Sequence, residues 1–160
     1  MKQLFVFLTL LVSHMGWSQT KPLNPILNNY LNLKNEQVAG NVQNSKKTAT
    51  LLKEAVETIN TKQLSAADLK AFKQVKEKML NSLVSFLAAG DIGKQRDFFA
   101  VLSDQMIQLA KKTFLTDSEI YIDYCPMKKA SWLSSEKAIR NPYYGNMMLS
   151  CGSIKETIKQ

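Results

Sequence analysis

From Asn24 to Phe114 the apolar residues return three and four positions apart in four successive runs. A chain patterned this way buries its apolar side chains by folding into helices packed side by side. Ile26, Tyr30, Leu33 and Val38 make the first run, which starts at Asn24-Pro25 and ends at Gly40. An N-capping asparagine followed by proline starts a helix well, and glycine ends one well. Val42, Ser45, Ala49, Leu52, Val56 and Ile59 make the second. Ser65 and Asp68 form a capping box ahead of the third, which carries Leu69, Phe72, Val75, Met79, Leu83 and Phe86. Gly90-Asp91 separates it from the fourth, with Phe99, Leu102, Met106 and Leu109. Met79 and Met106 occupy core positions here, where a thioether fills space and needs no ligand to explain it.

The period changes after Phe114. Glu119 to Cys125 alternates with a period of two and is rich in β-favouring residues, which predicts a strand stopped by Pro126. A second short strand is expected around Met147–Cys151, and a helical turn or two over Ser153–Gln160. Asn141-Pro142 and Gly145 are expected to fix turns. Trp132, Leu133, Tyr143 and Tyr144 are expected to pack this segment onto the helices, and Asp117, Glu119 and Asp123 to be turn or strand-surface carboxylates. The expected fold is mainly α. It is an antiparallel four-helix bundle with helices near 25–39, 42–60, 66–89 and 92–114. An irregular segment with a short β-hairpin, 119–154, follows and carries both cysteines.

The first eighteen residues stand apart from this pattern. Lys2 precedes the apolar run Leu4–Val12, and small residues at Gly16 and Ser18 suit a signal peptidase, so cleavage after Ser18 is expected. The run is short of the ~20 apolar residues that a membrane-spanning helix needs. Residues 19–160 are thus expected to be one helical domain, periplasmic or secreted, with no integral membrane segment. The only histidine, His14, lies in the leader. Imidazole bases, serine-protease triads and histidine-based zinc sites therefore drop out of the exported chain. No nucleophile–base pair or phosphate loop is visible, so no enzyme is expected. The formal charge is +8, but the lysines are scattered along the helices without a basic run or interleaved aromatics. That pattern gives solvated helix faces and no nucleic-acid partner.

Chemistry concentrates at the C-terminal end. Both cysteines are there, Cys125 in Cys125-Pro126-Met127 and Cys151 in Met148-Leu149-Ser150-Cys151-Gly152. On an extended strand Cys125 and Met127 would share a face. Thiolates and thioethers are soft donors that select Cu(I) over harder ions, so Cys125, Met127, Met148 and Cys151 form a candidate ligand set. A disulfide is the other reading of two cysteines in an exported chain, and its closure would stabilise the fold by about 3 kcal/mol.

The ordered set Cys125-Pro126-Met127, Trp132-Leu133-Ser134, Ile139-Arg140-Asn141-Pro142-Tyr143-Tyr144-Gly145 and Met148–Gly152 resembles a family of bacterial exported domains of unknown function. These occur alone after a signal peptide or fused to periplasmic adaptor subunits of copper and silver efflux pumps. The resemblance extends over the exported chain, including Tyr30–Lys34 and Phe98–Ser103. It implies a helical domain that handles Cu(I) or Ag(I), with an efflux adaptor as partner, and supplies no reaction. Cys-Pro-Met is also similar to short heavy-metal motifs in which histidine follows; Lys128 stands there in this chain, leaving only sulfur.

Overall fold

Each helix begins where a short polar side chain or a proline can satisfy or dispense with the first free amides. The computed structural model describes residues 21–159, so the expected signal peptide and its cleavage site lie outside the described residues. Helix α1 spans Asn24–Ala39, with proline in its first turn and Gly40 as its left-handed cap. Asn24 is not the N-cap. It is already helical, and its side-chain amide donates to the Leu115 carbonyl, fixing the helix start to the segment beyond the bundle. Helix α2 spans Val42–Thr58 and is capped by Asn41, which accepts from the Asn44 amide at 3.0 Å.

Helix α3, Ala66–Ala88, has the expected capping box. Ser65 Oγ accepts from the Asp68 amide at 3.1 Å and donates to the Asp68 carboxylate at 2.7 Å. Helix α4, Ile92–Ala110, starts from Asp91, which accepts from the Lys94 amide. It stops short of the expected Phe114. The Thr113 hydroxyl and amide both bond the Leu109 carbonyl, as does the Lys112 amide, and this tightened turn ends the helix.

The helices pack in sequence, α1 on α2, α2 on α3 and α3 on α4. The predicted apolar positions meet inside: Tyr30, Leu33, Leu52, Val56, Phe72, Met79, Phe86, Phe99, Met106 and Leu109 are all fully buried. Each such side chain contributes about 1.5 to 3 kcal/mol through burial, before the entropy of ordering is set against it. Tyr30 stacks on Phe99 with ring centroids 5.3 Å apart, and its hydroxyl bonds Ser103 Oγ at 2.7 Å. No helix among the described residues is long and apolar enough to cross a membrane.

A three-stranded antiparallel sheet follows, in the order β2-β1-β3. Strand β1 is Ile120–Cys125, as its alternation predicts. Its partners differ from expectation. Strand β2 is Ala130–Ser134, joined to β1 by the four-residue turn Pro126–Lys129, and Cys125 faces Ala130 across the pair. The turn closes because Lys129, at φ +56°, donates its amide to the Cys125 carbonyl at 2.8 Å.

No strand forms at Met147–Cys151; a 3-10 turn occupies Gly145–Met147. Strand β3 is instead Ser153–Ile158, where a helical turn was expected. Ile154, Thr157 and Ile158 are β-branched, and the open edge of β1 supplies the backbone partners a helical turn would lack. A register slip at Ile122/Asp123 leaves Lys155 as the extra residue, its ammonium 4.3 Å from the centre of the Tyr124 ring. Strand β2 lies against α4, and the loop 135–152 runs back over the sheet toward α1. Leu133 ties the layers together, donating its amide to the Tyr30 hydroxyl at 3.2 Å.

Candidate functional site

Cys125 ends β1, on the strand face that also carries Tyr121 and Asp123. It is wholly buried, whereas Cys151, at the end of the covering loop, is half-buried. The two sulfurs lie 3.7 Å apart and both cysteines are free thiols. That distance is within contact and well beyond the ~2.05 Å of a disulfide.

The hairpin turn shapes the surroundings of Cys125. Pro126 bends the chain directly after it, and the Lys128 amide turns back to donate to Cys125 Sγ at 3.5 Å. The Lys128 ammonium pairs with Asp97 of α4, which pins this turn to the bundle. Burial pushes the Cys125 thiol up, but the amides of Lys128, Asn141 and Met127 and the neighbouring Cys151 thiol outweigh it, so the group sits below the usual cysteine range. Cys151 moves the other way, raised by burial, by its hydrogen bond to Cys125 and by the charge there. Of the pair, Cys125 is therefore the sulfur that gives up its proton more readily and Cys151 the one that keeps it.

Asn141 assembles the loop around these sulfurs. It is completely buried, and its Oδ1 accepts from the amides of Tyr143 and Tyr144 at 2.8 and 3.3 Å. Its Nδ2 donates to the Cys151 carbonyl at 2.7 Å, and its own amide donates to the Leu149 carbonyl. Tyr143 then packs edge-on against Trp132, centroids 5.7 Å apart, and reaches the Ser131 carbonyl through its hydroxyl. Trp132, Leu133 and Tyr143 are buried and Tyr144 is half-buried, as their apolar character predicts. Gly145 fixes the end of the loop at φ +55°. A Cβ there would sit 2.6 Å from Arg96 Nη2 and 2.7 Å from the Val38 carbonyl oxygen.

The methionines lie on the two turns that flank the pair. Because β1 ends at Cys125, Met127 falls on the hairpin turn and is 63% exposed, so it does not share an extended strand face with Cys125. Met148 is 37% and Met147 77% exposed. Among the described residues, no group of three or more His, Cys, Asp and Glu side chains converges on a metal position. An ion held between the two cysteines would therefore complete its coordination from thioether or solvent.

Two features of the site ran against expectation. Asp123 is not a surface carboxylate; it is completely buried, because the alternation that turns Cys125 inward turns Asp123 inward too. Burial raises its pKa to about 6, with Lys34 and the facing indole of Trp132 acting against the rise. Neither Asp123 oxygen nor Trp132 Nε1 makes a hydrogen bond of ordinary geometry, so the indole's influence on the carboxyl is weak. Lys34, on α1, is itself buried, and burial pulls its pKa down against the charges of Glu136 and Asp123. The sequence marks Asn141 only as a turn former, and gives no sign that its side chain would hold three backbone groups of the loop.

No curated protein and no solved structure matches the chain. A family model, described as "Protein of unknown function (DUF3347)", matches residues 26–118, which include nearly all of α1 and the whole of α2, α3 and α4. The match stops just before β1, so the ordered motifs from Cys125 to Gly152 lie beyond it. On that match, over more than half its length, the chain belongs to the DUF3347 family of proteins of unknown function.

Proposed function

We propose that this protein is exported and binds Cu(I) or Ag(I) between Cys125 and Cys151, buffering the ion or passing it to an efflux adaptor. The observation that carries the reading is the 3.7 Å separation of two free thiols at the boundary between core and surface. Metal–thiolate bonds of about 2.3 Å meeting at a near-tetrahedral angle span an S···S edge of that size. A bent S–metal–S unit leaves room for a third soft donor, and Met148, with Met127 second, supplies it from the flanking turns. The thiolates neutralise the ion and give most of the affinity; the exposed thioethers exchange easily with an incoming partner. Export rests on the leader, Lys2 and Leu4–Val12, and on the absence of a later spanning segment among the described residues.

The test is protection. The reduced full chain, loaded anaerobically with one equivalent of Ag(I) or Cu(I), is treated with a thiol alkylating agent and its mass measured. Both cysteines are expected to be protected by one ion. Alkylation at the rate of the metal-free protein would end the proposal. Export is checked separately, by sequencing protein from the periplasmic fraction, which is expected to begin at Gln19.

A second reading takes the same pair as a structural disulfide in a non-enzymatic interaction domain. The contact distance between the sulfurs favours it as well. It predicts no free thiol in protein recovered from the periplasm and a large fall in Tm on reduction.

A further inference from the structure

The two cysteines are unequal, and their inequality bears on reactions with disulfides. Cys125 is wholly buried, with its sulfur enclosed by the hairpin amide of Lys128 and by Cys151. Cys151 is half-buried and sits on the loop that leads into the exposed edge strand β3. Attack on an external disulfide needs the three sulfurs nearly in line, so the attacking thiol must be open to solvent. Of the two, Cys151 is the more exposed and so the one an external disulfide reaches first. Cys125 meets a different condition: it lies in contact with Cys151 Sγ and carries amide donors suited to a thiolate.

We propose that Cys151 receives small-molecule disulfides and that Cys125 resolves the adduct, so that the pair closes to an internal disulfide. In the first step Cys151, having lost its proton, attacks one sulfur of R–S–S–R. The S–S bond breaks, RS⁻ leaves and is protonated, and Cys151–S–S–R remains. In the second step the Cys125 thiolate attacks Cys151 Sγ, the mixed disulfide breaks and the second RS⁻ leaves as RSH. The protein loses two electrons and two protons, and R–S–S–R becomes two RSH. Excess RSH runs the sequence backwards. Closure consumes both thiolates and so switches off soft-metal binding at this site, but the exchange itself does not depend on any metal.

The experiment uses the reduced, metal-free full chain with oxidised glutathione as the probe, acid-quenched over time and read by intact mass and peptide mapping. Wild-type protein is expected to reach the internal disulfide with only a transient glutathione adduct, mapped to the Cys151 peptide. Cys125→Ser is expected to retain one glutathione on Cys151, and Cys151→Ser to react at least about tenfold more slowly. A persistent wild-type adduct, an adduct mapped to Cys125, or equal rates in the two variants would overturn the proposal. Circular dichroism checks that the variants are folded, and the wild-type mapping decides the matter if either is not. A chain that exchanges in this way but binds no Cu(I) retains this assignment and loses the metal function; one that binds Cu(I) without exchange does the reverse.

Discussion

Asn141 Nδ2 donates to the Cys151 carbonyl at 2.7 Å from a wholly buried position, linking the turn at Pro142 directly to the second cysteine. The same side chain holds the Tyr143 and Tyr144 amides through Oδ1. Asn141→Ala leaves several of these groups buried without partners. It is expected to destabilise the fold by about 2 to 3 kcal/mol in urea denaturation, since each orphaned group costs about 1 to 3 kcal/mol less any relaxation. The variant is also expected to bind Cu(I) more weakly, because Cys151 loses its anchor. A denaturation midpoint equal to that of the wild type would remove Asn141 from its organising role.

Gly145 is the second fixed point of the loop. Alanine there meets both a left-handed backbone and two close neighbours, Arg96 Nη2 and the Val38 carbonyl oxygen. The Val38 contact is backbone and cannot swing away. Gly145→Ala is expected to destabilise by about 2 kcal/mol or more, whereas Gly90→Ala, with open space around it, is expected to change little. Thermal melts of the two variants side by side check this, and equal Tm values would contradict it.

Asp123 makes stability depend on pH. Its pKa is raised to about 6 in the folded protein, so between about pH 4 and 6 the folded state holds a proton that the unfolded state has lost. This group's contribution therefore favours folding at low pH, declines as pH rises through that window and is level above it. The size is on the order of 2 to 3 kcal/mol. Asp123→Asn lacks the ionisation, so its stability relative to wild type is expected to improve by that order between pH 4 and pH 7. Lys34, Glu136 and Arg140 nearby are common to both proteins, so the difference between the two curves isolates Asp123. Parallel stability curves for the two proteins would contradict the assignment.

The helical part of the molecule was legible because its signals are local. Ser65 caps α3 as its capping box predicts, and the three-four spacing of Phe72, Met79 and Phe86 marks the buried face directly. The sheet was only half legible. Alternation disclosed β1, but β3 is exposed at nearly every position and owes its conformation to the edge of β1, a partner roughly thirty residues away in the chain. The site was legible in its sulfurs and not in its framework. Residue type identified Cys125 and Cys151, whereas the burial of Asp123 and Asn141 depends on a covering loop that no periodicity describes. Asp123 did carry a usable signal, since a strand that buries Cys125 buries the residue two positions before it on the same face.

The most direct measurement is an anaerobic titration of Cu(I) into the reduced protein against a coloured Cu(I) chelator of known affinity, with Cys125→Ser alongside. One equivalent withdrawn from the chelator by the wild type, and lost in the variant, is the predicted result. Failure of the wild type to compete, or equal competition by Cys125→Ser, would contradict the assignment of this cysteine pair as a soft-metal site.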